Sequence, residues 1–519
     1  MKNEQASGKM LITAAFMASA TLISKVLGLV RDSLIAAFFA TGMRADAFMA
    51  ASKLPTTLFD MVIGGVISST FIPVFNDIMT KRNKKEAMQF VNKFVTLILI
   101  ITTLISLLGI LFADPLVNLI APNYAGVKHD LAVKLTSIMF PMIIFTGLAF
   151  SFVGLLQSFG EYNIPSIISL VSNVAIIAYF AVFGKKFGVE GLAVTMLVAW
   201  SLQVAVQIPS LVKFKYKFRL DFKLWDKDIK NALLLAGPML ISTWVQPLYT
   251  IINSRLASGI DGAYSSLEYA NRLYLIVTGV FSFVVTNLIF PKLSRANAKN
   301  DTEEANSLIM TSLRAIAIVI IPLMAGFIIL SAPITSIIYE HGEFGADKVT
   351  VVAQALMCYA IGMPGLAVNE ILSKSFFSMQ DSKTPMRNSI LSMVFNIVLA
   401  YILFGAFKIN GLALAAAGGS IFNGALNAWC MFKKNPTMFK KSDLEAILKV
   451  IISTIVMALA VFGTYKFLYS PESGIAGQII TCAVCGVLGI LVYGVSVYLI
   501  GVEDIRQILN KATKGEKNE

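Results

Sequence analysis

The chain alternates long apolar stretches with short polar ones. A helix needs about 20 apolar residues to cross the hydrocarbon core of a bilayer. Fourteen such stretches can be marked, centred near residues 25, 62, 98, 143, 174, 200, 243, 281, 318, 362, 396, 421, 456 and 488. Several are long enough to need tilt or a kink. The pattern predicts an all-α integral membrane protein with about fourteen transmembrane helices. The polar loops alternate in charge. Lys81–Lys85, Lys213–Lys230, Lys292–Lys299, Lys383–Arg387, Lys433–Lys449 and the tail from Arg506 are rich in Lys and Arg. The intervening loops, with Arg44, Lys128, Lys185, Lys186, Lys348, Lys408 and Lys466, are poor. Basic loops stay on the cytoplasmic side. Both termini are therefore expected in the cytoplasm, which requires an even number of spans. Met10–Ala18 with Ala18-Ser19-Ala20 resembles a signal peptide. Cleavage there would remove half of the first span and break the parity, so the stretch is read as part of that span.

The sequence also matches itself at an offset of about 220 residues. Ala51-Ser52-Lys53-Leu54 aligns with Ala270-Asn271-Arg272-Leu273, and Phe71-Ile72-Pro73 with Ile289-Phe290-Pro291. Glu86 meets Glu304, Ala113-Asp114-Pro115-Leu116 meets Ser331-Ala332-Pro333-Ile334, and Pro165 meets Pro385. Val189-Glu190-Gly191-Leu192-Ala193 meets Ile409-Asn410-Gly411-Leu412-Ala413. Each match is weak, and the near-constant offset carries the inference. It predicts an N-lobe of six helices (1–213), a basic linker (214–230), a C-lobe of six helices (231–432), and two further helices with a basic cytoplasmic tail (433–519). Six spans per repeat give both copies the same orientation, the plan of two-lobed transporters with a site near mid-membrane. In the linker, Lys215, Lys217 and Arg219 alternate with Tyr216, Phe218 and Leu220. That suits a segment on the headgroups as well as it suits a solvated loop.

Composition narrows the function. The chain has 519 residues, 56% of them hydrophobic and 14% charged, and a mean hydropathy of +0.75. No soluble globular domain looks like this. The formal charge of +13 invites a nucleic-acid partner, but its confinement to alternate loops assigns it to lipid headgroups instead. The four cysteines make no disulfide framework. Cys482 and Cys485 lie inside the last apolar stretch and read as small packing residues. His129 and His341 fall in separate external loops, so no metal site is indicated. No phosphate loop, nucleophile elbow or zinc-protease motif appears, and neither enzymatic chemistry nor a cofactor is expected.

The candidate chemistry lies in charges inside apolar stretches. Lys25, Arg31 and Asp32 sit in the first, Leu11–Ala40; Asp46, Lys53 and Asp60 in the second; Glu268 and Arg272 much later. Each charge at bilayer depth costs at least about 2.5–3.5 kcal/mol. Such charges persist where they line a wet cavity, pair with one another, or grip a charged substrate. Most of the set is cationic, so the expected substrate is an anion. Lys25 and Asp32 share a helix face two turns apart, and Asp32 projects about 100° from Arg31. Asp46, Lys53 and Asp60 recur every seven residues as one stripe, which Pro55 is expected to break. Glu268 and Arg272 are an i,i+4 pair in the favourable order. Mutual ion pairing and substrate binding both remain open for Lys53 with Asp60 and for Glu268 with Arg272. Arginine suits a diphosphate because its planar fork donates two parallel hydrogen bonds, and Arg31 and Arg272 on facing lobes could clamp one. Gly64-Gly65 and Ser68-Ser69 are read as close-packing positions.

At these residues the chain resembles a known family. Ser24-Lys25-Val26-Leu27-Gly28-Leu29-Val30-Arg31-Asp32, Asp46-Ala47-Phe48, Lys53-Leu54-Pro55 and Phe71-Ile72-Pro73 resemble the opening of the MurJ (MviN) lipid II flippases. Tyr269-Ala270-Asn271-Arg272-Leu273 with Pro291 resembles that family's eighth helix. The resemblance extends over essentially the whole chain. It implies a cationic central cavity and transport of undecaprenyl-diphosphate-linked disaccharide-pentapeptide to the outer leaflet by alternating access. It also implies substrate-binding roles for Lys25, Arg31, Asp32, Asp46, Lys53 and Arg272, and a groove for the lipid tail on the last two helices. Two departures stand out. Phe59 and Asp60 replace a basic pair common in the family, and Asn271 replaces an acid. They leave open a flippase for another polyprenyl-diphosphate oligosaccharide. A multidrug exporter of the same superfamily is a further alternative, although a drug cavity should be acidic or aromatic. The expected partners are the lipid-linked glycan, membrane lipids and a coupling ion or membrane potential, with no nucleic acid and a monomeric chain.

The charge pattern yields a topology test. A single cysteine at position 126 should react with an impermeant maleimide added to intact cells, and one at position 83 should not. The reverse result would invert the model.

Overall fold

The computed structural model describes residues 2–64, 70–224, 226–234, 245–284, 289–299, 301–470 and 473–501. Every regular element among the described residues is helical. The chain divides into two compact units, Met1–Ser265 and Ser266–Glu519.

The first unit holds α1 (Lys2–Phe39), α2 (Met43–Phe59), α3 (Ile72–Lys81), α4 (Lys84–Leu111), α5 (Ala113–Ile120) and α6 (Val127–Met139). There follow α7 (Met142–Ser158), α8 (Asn163–Val182), α9 (Gly184–Ala205), α10 (Ile208–Lys213) and α11 (Val245–Ala257). Helix α1 packs against α8, α8 against α9, α2 against α6, and α4 against α7. Buried Phe71, Phe75, Phe90 and Phe94 clamp α3 to α4, with Phe71 and Phe94 centroids 5.0 Å apart. The start of α4 is fixed by Asn83, whose Oδ1 accepts the Glu86 N–H at 2.9 Å, the reciprocal geometry of an N-cap.

Pro55 does not break the second helix. Helix α2 runs through it to Phe59 and then widens into a π-helical turn, Asp60–Gly64. Proline removes one backbone donor. Beside it, the Thr56 hydroxyl donates back to the Ser52 and Lys53 carbonyls at 3.2 and 2.9 Å. Gly65, Ser68 and Ser69 lie outside the described residues, so the close-packing expectation for them is not addressed.

The basic segment after α10 is neither free nor wholly solvated. Tyr216 is buried and donates its hydroxyl to Asn92 Oδ1 at 2.9 Å. The Asp221 N–H reaches Thr96 Oγ1 at 3.1 Å, and Asp226 and Asp228 pair with Lys93 and Arg82. Burial by itself would raise the Asp226 carboxyl. The Ile229 N–H and the Lys93 ammonium outweigh it and hold the group below its ordinary value of 3.8. The sign follows: this docking contribution is complete above the unfolded carboxylate pKa and is lost as pH falls through the lower folded one.

Helix α12 (Ala263–Val284) opens at the boundary of the second unit. It is followed by α13 (Phe290–Ala298), α14 (Thr302–Ile329), α15 (Ser331–Tyr339), α16 (Ala346–Ala360), α17 (Met363–Ser378), α18 (Lys383–Lys434), α19 (Lys441–Leu468) and α20 (Gly474–Ile500). Local detail repeats that of the first unit. Asp301 Oδ1 caps α14 through the Glu304 N–H at 2.9 Å, as Asn83 caps α4. Positive φ is rare for a residue with a Cβ. It occurs at Gly160 and again at Gln380, at Gly188 and again at Lys408, both pairs 220 positions apart. At Lys408 the 52-residue α18 kinks, dividing the stretches expected near 396 and 421. The two helices without a repeat partner are tied to α14: Arg314 pairs with Asp443 at 3.2 Å, and Tyr493 donates to the Ile318 carbonyl at 2.6 Å. Leu330, Met457, Val461 and Cys485 form a buried cluster at that seam.

Among the described residues, eight helices are long and apolar enough to cross a membrane, or nine if α16 and α17, bent by 44°, form one span. The stretch expected near 243 lies outside the described residues.

Glycine permits a close approach of one helix backbone to another. A Cβ on Gly365 in α17 would lie 2.4 Å from the Ile421 Cα in α18. Gly365→Ala should therefore lower stability by about 1–3 kcal/mol through overpacking. Gly405→Ala, with nothing within 4 Å of its Cβ, should not lower the thermal midpoint. Equal midpoints for the two variants would contradict this packing.

Candidate functional site

The first group is built on α1 and α8. Arg31 and Asp32 are neighbours whose Cβ atoms diverge, yet the guanidinium folds back onto the carboxylate. Arg31 Nε and Nη2 donate to Asp32 Oδ1 at 3.0 and 2.9 Å. The offset of about 100° between the two positions does not keep them apart, because the long arginine side chain spans it. The Arg31 side chain is 17% exposed and that of Asp32 7%. Asn173 on α8 completes the arrangement. Its Oδ1 accepts Arg31 Nη1 at 3.0 Å, and its Nδ2 donates to the Ser24 carbonyl at 3.0 Å. Ser169, one turn earlier on α8, meets Ser24 Oγ at 2.8 Å. The guanidinium has five N–H donors. Asp32 and Asn173 take three, leaving one on each terminal nitrogen. Lys25 is half-buried on α1 and forms no hydrogen bond or ion pair among the described residues. Asn173 was missed in the sequence, although an amide inside the apolar run of α8 was a readable signal.

Asp46 has a different setting. Its side chain is 1% exposed and accepts Lys128 Nζ at 2.7 Å and the Gly262 and Ser265 N–H groups, each at 2.8 Å. Lys128 also reaches Asp261 at 2.7 Å and lies 4.4 Å above the Tyr124 ring. Burial, and then the charges of Asp46 and Asp261, push the Tyr124 hydroxyl up from its ordinary value. The carboxylate thus holds the α6 start and the turn after α11 together. Burial differs along the expected stripe of Asp46, Lys53 and Asp60. Asp46 is sealed in this latch, Lys53 is half-buried, and Asp60 is exposed at the π-helical turn. Lys53 borders a small cleft with Thr57, Ser254 and Tyr264. Lys128 was read only as a loop charge, and nothing in its spacing pointed to Asp46.

In the second unit, Glu268 and Arg272 are half-buried one turn apart on α12. Their helix is seated by Tyr269, fully buried between them in sequence. Its carbonyl accepts the Tyr339 hydroxyl at 3.2 Å, and its ring lies 4.9 Å from that of Tyr339.

A helical bundle with fixed cations inside apolar helices defines a membrane transporter rather than a catalyst. The fold is shared with a solved multidrug resistance transporter of the MATE family in an inward-facing conformation. The TM-score is 0.68 at 13% identity, over 82% of this chain and 98% of the other. The family model described as "Lipid II flippase MurJ" matches residues 35–474, and the chain belongs to that family. A lipid II flippase MurJ of Burkholderia cenocepacia is 29% identical over 415 residues, 78% of this chain and 80% of the other. A solved structure titled "Lipid II flippase MurJ, inward closed conformation" superposes with a TM-score of 0.82 at 25% identity, over 94% of this chain and 99% of the other.

The Asp46 latch makes a stability prediction. Asp46→Ala strands a mostly buried ammonium and two N–H groups, and should cost about 3 kcal/mol. Asp261→Ala removes a partner that is 71% exposed and should cost less than about 1 kcal/mol. Thermal melts of the two purified variants test the order, and an equal loss would contradict the latch.

Proposed function

We propose that the protein moves undecaprenyl-diphosphate-linked peptidoglycan precursor from the inner to the outer leaflet of the bacterial cytoplasmic membrane, by alternating access. The observation carrying this reading is Arg31, a guanidinium oriented by Asp32 and Asn173 that retains two N–H donors. A permanent cation held in one orientation suits the planar, bidentate recognition of phosphate oxygens. Lys25 adds a point charge six residues earlier on α1, and Lys53 and Arg272 are further proposed substrate-binding residues. Asp32 acts on the headgroup through Arg31. Asp46 acts by holding its latch closed in the state described above. Family membership supports lipid II as the cargo, and both termini are assigned to the cytoplasm from the basic loops. A second reading, a flippase for another polyprenyl-diphosphate glycan, is favoured by Phe59 and Asp60. Phe59 is buried beside Phe150, with ring centroids 5.8 Å apart, and Asp60 is acidic.

Complementation of a strain depleted of its lipid II flippase distinguishes the two. Rescue by the wild-type chain supports lipid II, and failure at normal membrane levels favours the other glycan. In a rescuing background, Arg31→Ala and Arg272→Ala should abolish growth. Arg31→Lys should be partly tolerated, since it keeps the charge and loses the fork. Full activity of either alanine variant would remove that residue from the site.

A further inference from the structure

The docked segment after α10 has two chemically opposite faces. Two of its acids serve the inner face: Asp226 pairs with Lys93 and Asp228 with Arg82, and the Asp221 N–H reaches Thr96 Oγ1 at 3.1 Å. Its bases occupy the outer face. Lys213, Lys215, Lys217, Arg219, Lys223 and Lys227 are exposed, and none forms an ion pair among the described residues. Large apolar side chains stand between them. Val212 is 66% exposed, Phe218 45%, Leu220 53% and Phe222 68%. An acidic protein or a nucleic acid would pair the cations and leave these apolar groups in water. An anionic headgroup layer takes both, because the apolar groups enter the acyl boundary while the cations meet phosphodiesters.

Position supports the same occupant. The strap starts at Lys213, the last residue of an apolar helical run, Gly184–Lys213, long enough to cross the membrane. Tyr216 and Lys217 are then fastened to Asn92, in the third turn of α4, itself a candidate span. The strap therefore leaves the bilayer at headgroup height and is held there.

We propose that the outer face of residues 213–224 is a binding surface for anionic phospholipid headgroups. The inference rests on membrane residence alone and stands whichever glycan is carried. The surface keeps the strap pressed between the membrane and α4, so the mobility of this segment depends on the anionic lipid content around it.

Hydrogen–deuterium exchange on the full chain tests the proposal. The protein is placed in nanodiscs of phosphatidylcholine alone, or of an equimolar phosphatidylcholine–phosphatidylglycerol mixture. Amides of 214–224 should exchange about tenfold more slowly or better in the mixture, with the start of α4 unchanged. The protection should disappear near 1 M salt, where the Debye length is about 3 Å. It should also disappear in the variant carrying Lys213→Gln, Lys215→Gln, Lys217→Gln and Arg219→Gln. Inorganic phosphate added to the phosphatidylcholine discs should give no protection. Equal exchange of the wild type in the two discs would overturn the proposal without recourse to any variant. Protection by free phosphate would overturn it in favour of a local anion site.

Discussion

A cation in an apolar helix has to be held, and the rest of the first unit is arranged around that need. Arg31 is nearly buried, and an unpaired guanidinium there would lose several kcal/mol of solvation. Asp32 supplies the counter-charge and Asn173 a neutral acceptor. The same amide donates back to the Ser24 carbonyl, so one side chain fixes both the guanidinium and the seam between α1 and α8. Two of the three acceptor bonds come from one carboxylate oxygen. The cation is thereby compensated without being saturated. That separates a structural ion pair, in which every donor is used, from a group that can still take a phosphate oxygen.

Asp46, buried more deeply than Arg31, shows the opposite outcome. Three donors converge on it, two of them backbone N–H groups, so that Oδ2 accepts two and Oδ1 one. A carboxylate satisfied in this way is a fastener. Because Lys128 divides itself between Asp46 and exposed Asp261, the fastener has one dry component and one wet one. Its stability is carried mainly by the dry one. The second unit uses aromatic packing for a similar purpose, with Tyr269, Tyr339 and Phe344 seating α12.

Much of this was legible in the sequence because bilayer physics leaves few choices. Apolar length gave the helices, and the offset of about 220 residues anticipated the paired caps at Asn83 and Asp301 and the paired left-handed positions at Gly188 and Lys408. Residue pairing was legible only where periodicity governs it. The azimuth rule separated Arg31 from Asp32, but it describes Cβ directions and not the reach of a long side chain. Pro55 was read as a break, yet the helix continues past it and its pitch changes five residues later, at Asp60. The partners Asn173 and Lys128 lie more than 80 positions from the charges they serve. No local pattern encodes such a separation.

The central claim is that the diphosphate is what the intramembrane cations recognise. It is tested most directly with purified protein in proteoliposomes, by following the appearance of a carrier-linked glycan on the opposite leaflet. Lipid II and an analogue with the same lipid and the same disaccharide-pentapeptide, joined by an uncharged linker, would be compared. The account predicts rapid translocation of lipid II and none of the uncharged analogue above protein-free vesicles. Equal translocation of the two would show that glycan or lipid, and not the charge held at Arg31, directs transport.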